Sequence, residues 1–176
     1  MTLVINCYGG PGTGKSTTAA GIFRALKILG INCEMALEYA KDKVWEESYA
    51  VLGNQNYIFG KQHHKLHRLL GKVDIIVTDA PITLSLMYGK MGIAENCWKF
   101  FEGNVLQTFN NMENINIFLI RDKPYQPAGR TQTEEEAKIL DSKILEMLQD
   151  YKIEYYKVKA DGTEIEAIMK IMENYF

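Results

Sequence analysis

Apolar residues follow two rhythms along this chain, and the alternation of the rhythms predicts its elements. Leu3 to Tyr8, Cys33 to Leu37, Asp74 to Thr78, Ile115 to Ile120 and Tyr155 to Lys159 are short, densely apolar runs of strand length. From Ser16 to Leu29 the apolar positions Ala19, Ile22, Phe23, Leu26 and Leu29 instead recur at helical spacing. Two later helices carry start signals: Thr133 with Glu136 and Thr163 with Glu166 each match an S/T-x-x-E capping box. Apolar residues follow at helical spacing, Ala137, Leu140, Ile144 and Leu148 in one case and Ile165, Ile168, Met169 and Met172 in the other. Strands alternating with helices predict an α/β fold, a parallel sheet with helices on both faces. Two stretches, Ala40 to Gly71 and Arg121 to Thr133, do not read as sheet core. In an open α/β sheet such insertions lie beyond the carboxyl ends of the strands, where ligands bind.

Composition narrows the class. A chain of 176 residues, 47% hydrophobic and 24% charged, suits one globular domain over residues 1–176. The net charge of −2 supplies no global basic field, which argues against broad nucleic-acid binding and leaves only a local basic groove. Cys7, Cys33 and Cys97 are odd in number, show no metal-type spacing and read as reduced, mostly buried thiols. No apolar run reaches the roughly 18 residues needed to span a bilayer, and the first strand begins without a signal peptide. The expectation is a soluble, cytoplasmic protein with no membrane partner.

The strongest chemical signal is Gly9 to Thr17, GGPGTGKST, a full match to G-x-x-x-x-G-K-[ST] between a predicted strand and a predicted helix. Gly9, Gly10, Gly12 and Gly14 permit backbone angles closed to other residues, so that successive N–H groups, including that of Thr13, point at one anion. The helix behind the loop adds its unpaired N–H groups and dipole. Lys15 provides a point charge for the β and γ phosphates, Ser16 a hydroxyl for Mg²⁺, and Thr17 a contact to the α-phosphate.

Acids and cations extend the site. The run Val73 to Thr78 ends in Asp79, the Walker B arrangement, which places a carboxylate beside the loop to hold the water shell of Mg²⁺; the same residue also suits a helix N-cap ahead of the segment after Pro81. Asp74 stands at the opposite end of that strand, away from chemistry. Glu38 closes the second strand and is either an acid that accepts a hydroxyl proton or a solvated carboxylate. The chain has four arginines, and two of them, Arg121 and Arg130, flank a Pro/Gly loop suited to closing as a lid over a triphosphate. Arg130, preceded by Gly129, is the better catalytic candidate of the pair; Arg121 could contact either nucleotide. The stretch Tyr57 to Leu70 is either an amphipathic helix packing Phe59, Leu66, Leu69 and Leu70 or an acceptor wall. On the second reading Gln62 pairs with a base edge, Tyr57 or Trp45 stacks on it, and His64 or Arg68 meets a phosphate. His63 and His67 share a helical face, but no carboxylate or cysteine completes a metal site.

Together the phosphate loop, Asp79, the arginine-bearing lid and this helix resemble the P-loop kinases of nucleosides and nucleotides. More narrowly, the chain is similar to small ATPase-type kinases related to the kinase domain of the bifunctional NAD-biosynthesis regulator, a family often encoded by bacteriophages. The resemblance implies a five-stranded parallel sheet in order 2-3-1-4-5, ATP as donor with Mg²⁺, and γ-phosphoryl transfer to a hydroxyl or phosphate acceptor. It places Gln62 where deoxynucleoside kinases carry a base-reading glutamine and Glu38 near their catalytic acid. The stretch Lys159 to Thr163 falls where such kinases hold adenine. The chain departs from them at Asp79-Ala80-Pro81, where many carry an acid followed by a substrate-contacting arginine. The function expected is an ATP-dependent phosphotransferase acting on a nucleoside, nucleotide or nucleotide-like acceptor, with a homodimer one of the open assembly states. Its rivals are a polynucleotide kinase, including a phage 5-hydroxymethyluracil-DNA kinase with DNA as acceptor, and a nucleotide-hydrolysing switch.

Overall fold

The computed structural model describes residues 2–122, 124–126 and 131–175. Five parallel strands form one sheet: β1 (Leu3–Tyr8), β2 (Cys33–Ala36), β3 (Ile75–Thr78), β4 (Glu113–Ile120) and β5 (Tyr156–Lys159), in the order β2-β3-β1-β4-β5. This is the topology of the P-loop NTPase fold, and it confirms the expected sheet. Helices α1 (Lys15–Ile28), α2 (Tyr39–Trp45), α3 (Tyr49–Leu52), α4 (Gln55–His67), α5 (Leu84–Gly92), α6 (Glu95–Asn110), α7 (Glu134–Asp150) and α8 (Glu164–Met172) connect the strands, with a 3-10 turn at Glu173–Tyr175. The insertion between residues 40 and 71 is helical and lies outside the sheet, as expected. None of the described helices is long and apolar enough to cross a membrane.

The central strands are mostly apolar because both of their faces are covered. In β1, Val4 and Tyr8 enter one core with Phe59 and Leu66 of α4, Leu86 of α5, Phe101 and Val105 of α6, and Ile144 and Leu148 of α7. Ile5 and Cys7 point the other way, into a core shared with Ala19, Ile22 and Leu26 of α1 and Ile168 and Met172 of α8. Fully burying side chains such as Ile22 and Leu26 stabilises the fold by about 1.5–3 kcal/mol each. Where α1 meets α8 the packing leaves no room: a Cβ on Gly21 would lie 2.5 Å from Cδ1 of Ile165.

One polar ladder crosses the first core. Asn6 Nδ2 donates to Oδ1 of Asn114 at 2.9 Å and of Asn116 at 3.0 Å, and Asn116 Nδ2 donates to the Glu154 carbonyl at 2.9 Å. Satisfied in this way, these amides are tolerated inside, and they tie β1, β4 and the approach to β5 together.

Details of the helix ends depart from the sequence expectation. Thr133 and Glu136 form the full capping box at α7. Thr163 and Glu166 do not. Asp161 Oδ1 accepts from both the N–H and the hydroxyl of Thr163, and Glu164 Oε2 accepts from the Gly162 N–H, so the turn before α8 closes locally instead. Cys7 and Cys33 are buried as expected, and burial pushes the Cys7 thiol up to about 12; Cys97, however, is exposed on the polar side of α6.

Candidate active site

Every strand of a parallel sheet points its carboxyl end the same way, so the segments after β1, β2, β3 and β4 converge on one edge. The loop after β1 is the glycine-rich one. Gly9, Gly12 and Gly14 hold φ of +144°, +82° and +97°, conformations that side chains strongly disfavour, and Gly14 serves as the N-cap of α1 without any side-chain cap. The first N–H groups of α1 are thereby left for an anion. Thr13 is buried and braces the loop, its hydroxyl donating to the Gly10 carbonyl at 3.0 Å. Gly10 differs from its neighbours: its φ is not positive, and glycine is required because a Cβ would lie 2.6 Å from the Ala137 carbonyl and from Asp141 Oδ1.

Lys15 folds back onto the loop, with Nζ donating to the carbonyls of Gly9 at 2.7 Å and Gly10 at 3.1 Å. Burial holds its ammonium below the usual lysine range, and the acids Glu38, Asp79 and Asp141 act against that shift. A cation held this way gains most when a polyphosphate enters.

Asp79 lies at the tip of β3, 2% exposed. Its Oδ1 accepts the N–H of Glu38 at 2.9 Å, which joins the tips of β2 and β3. The N-cap of α5 is Thr83, so the N-capping alternative for Asp79 does not apply there. Ser16 and Asp79 offer a hydroxyl and a carboxylate, the hard oxygen donors that Mg²⁺ takes sparingly while keeping waters and phosphate oxygens. No group of three or more His, Cys, Asp and Glu side chains able to hold a metal occurs among the described residues.

Glu38 ends just past β2 as the N-cap of α2 and faces the same space. Burial raises its carboxyl above the ordinary 4.5; Lys15 opposes the shift and Asp79 reinforces it. The Tyr88 phenol, pushed up to about 12 by burial and by the Glu38 charge, closes that side.

One cavity of about 570 Å³ joins Lys15, Ser16, Glu38 and Tyr88, while the buried Asp79 does not line it. It runs from Gly12, Lys15, Ser16 and Thr17 past Glu38 and Tyr88 to a wall of Trp45, Leu52, Gln55, Ile58 and Met91, with Thr131 and Gln132 on the side of the predicted lid. Trp45 is 65% exposed at its mouth.

The structure does not bring every candidate here. Gln62 is buried beneath the start of α2: its Oε1 accepts the Tyr39 N–H at 3.0 Å, and its Nε2 has no partner among the described residues. Gln62 does not line the cavity, and neither does Tyr57, whose hydroxyl meets that of Tyr39 at 3.0 Å and whose ring carries Lys61. Arg68 caps the far end of α4, just before Gly71, whose N–H donates to Thr2 Oγ1 below β1. Arg68 is therefore on the amino edge of the sheet, opposite the phosphate loop, because α4 runs antiparallel to the strands. His64 is exposed on the same helix, and the rings of His63 and His67 lie 5.6 Å apart between centroids, tilted by 38°. Phe59, Leu66, Leu69 and Leu70 pack as an amphipathic helix should. Arg130 lies outside the described residues.

Arg121 has a defined place that the sequence did not disclose. Its Nε and a terminal nitrogen each lie 3.0 Å from Asp141 Oδ2, and the terminal nitrogen also donates to the Pro11 carbonyl at 2.9 Å. Asp141 Oδ1 in turn accepts the Gly10 N–H at 2.5 Å. Arg121 and Asp141 together clamp the phosphate loop against α7, and the ring of Tyr125 and the guanidinium of Arg121 cover Gly12. Asp141 was missed because a lone acid in an amphipathic helix looks like a solvated residue. Its spacing from Ala137 and Leu148, on the buried face of α7, was the available signal.

A family model described as an AAA domain matches residues 4–164. None of the curated protein sequences matches the chain. Among solved structures, the NadR protein in complex with NR aligns with 98% of this chain and 51% of its own, at 16% identity and a TM-score of 0.74. This chain thus spans about half the length of that protein. Deoxyadenosine kinase from M. mycoides with bound dATP aligns over 97% of this chain and 99% of its own, at 22% identity and a TM-score of 0.62. These likenesses establish the shared fold.

Proposed function

Because the chain belongs to the AAA domain family, and its phosphate loop opens into the same chamber as an acidic residue and an aromatic wall, we propose that it is an ATP-dependent kinase of nucleosides. The observation that carries this reading is the continuity of the cavity from Lys15 and Ser16 through Glu38 to Trp45. Donor and acceptor fit one space from which water is excluded on closure. A motor or switch has no need of the second half. Beyond Lys15, the described lining includes a single cation, Lys41, set against Glu38. That balance suits an uncharged nucleoside over a phosphorylated acceptor or DNA, and the basic groups of α4 do not line the cavity. The solved structures of a deoxyadenosine kinase and of NadR with NR, on the same fold, support the same class.

In the reaction, the N–H groups of Gly12 and Gly14 and those that open α1, with the Lys15 ammonium, hold the β and γ phosphates and neutralise charge as the bond to the γ-phosphorus breaks. Glu38 takes the proton of the acceptor hydroxyl as that oxygen bonds to phosphorus, and ADP departs. Its raised pKa makes it a stronger base than an ordinary carboxylate. Ser16 and Asp79 would hold Mg²⁺, which would supply positive charge to offset that of the phosphates. Arg130 is the residue we propose to neutralise the charge that develops on the departing ADP, and Arg121 steadies the loop on which the donor rests.

The test is a transfer screen with γ-labelled ATP over nucleosides, nucleotides and DNA. Label should appear on a nucleoside and vanish with Lys15→Ala. Full transfer by that variant, or label found only on DNA or in inorganic phosphate, would contradict the proposal.

A further inference from the structure

We propose that Gln55, not Gln62, reads the edge of the acceptor's planar ring. The inference rests on the nucleoside reading above. Both glutamines lie on one face of α4, about two turns or roughly 10 Å apart along the helix axis. Gln62 sits toward the sheet, out of the cavity, with its oxygen committed to the Tyr39 N–H. Gln55 opens α4 at the end of the cavity away from the sheet and lines it.

Three features make Gln55 a reader. Its Nε2 donates to the Leu52 carbonyl at 2.6 Å, which fixes the amide plane. That bond leaves Oε1 and the second N–H without partners among the described residues, one acceptor and one donor side by side. Its stem is held from behind by the end of α5, where a Cβ on Gly92 would lie 2.6 Å from the Gly53 carbonyl and 3.0 Å from Gln55 Cγ. Trp45, Leu52, Ile58 and Met91 supply apolar surface for the two faces of a flat ring. The ligand chemistry is then an uncharged heterocycle carrying a hydrogen-bond donor next to an acceptor, as on the edge of adenine.

Nucleoside affinity of the full chain, measured by calorimetry for adenosine and for purine riboside, which lacks the exocyclic amine, tests this directly. The wild type should favour the aminated ring about tenfold or more, since losing it leaves the Gln55 oxygen unpaired. Gln55→Leu and Gln55→Met should each narrow that gap to about twofold while ATP affinity is unchanged. A gap that persists in a folded Gln55 variant, or one absent from the wild type, overturns the inference. If the wild type transfers phosphoryl to nucleosides yet keeps its gap without Gln55, only this inference falls; if it transfers to none, both fall.

Discussion

Glu38 links the electrostatics of the cleft to two measurable pH effects. Its folded pKa is raised, so the folded chain binds the proton more tightly than the unfolded chain does. The resulting cost to stability is absent below the unfolded pKa, grows as pH rises toward the folded value and is complete above it. Glu38→Gln, neutral throughout, should therefore melt higher than the parent at neutral pH and match it in acid. The same shift should place the acid limb of kcat/KM above the range of an unperturbed carboxylate. Glu38→Gln should remove that limb and slow transfer by about 10²–10⁴-fold; a limb that survives the substitution would assign the base elsewhere. At Asp141, removal of the carboxylate would strand the Arg121 guanidinium beside Gly12. Asp141→Asn should cost about 1–3 kcal/mol of stability and weaken ATP binding. Pairing it with Arg121→Met should cost less than the sum of the single changes, and additivity in that cycle would show that the clamp is not energetically coupled.

At the scale of elements, the parts that depend on neighbouring residues were legible in the sequence and the parts that depend on folding were not. The strand-loop-helix of residues 3–28 could be read because its periodicity, glycines and lysine are contiguous. The α7 capping box was legible for the same reason. The apparent box at Thr163 failed because Asp161, two residues earlier, offers Thr163 a closer acceptor than a box provides. The place of Arg68 is not legible in the sequence, because helical periodicity carries no information on which way α4 runs relative to the sheet. The Arg121–Asp141 clamp and the place of Gln55 arise only when α7 and α4 dock. Two substitutions probe these elements. Thr133→Ala should lose about 1 kcal/mol, as capping hydroxyls usually contribute. Gly21→Ala should cost about 1–3 kcal/mol by driving a methyl into Ile165. Unchanged melting temperatures in either variant would contradict the corresponding contact.

At the scale of the molecule, a single sheet edge collects the loop of β1, the acids after β2 and β3 and the arginine after β4, and the proposed donor and acceptor sites lie where these connections converge. Lys15 is costly in the empty protein, since burial disfavours its charge. Lys15→Met should therefore leave the unliganded chain as stable as the parent or more so, while abolishing the rise in melting temperature that ATP confers. A preserved ATP-dependent shift in that variant would mean that the nucleotide binds elsewhere. The claim that one cleft serves both substrates is tested most directly by steady-state ATP consumption with and without added nucleoside. Turnover should depend on the nucleoside, with one nucleoside monophosphate formed for each ADP. ATP turnover at the same rate with no acceptor present would contradict it.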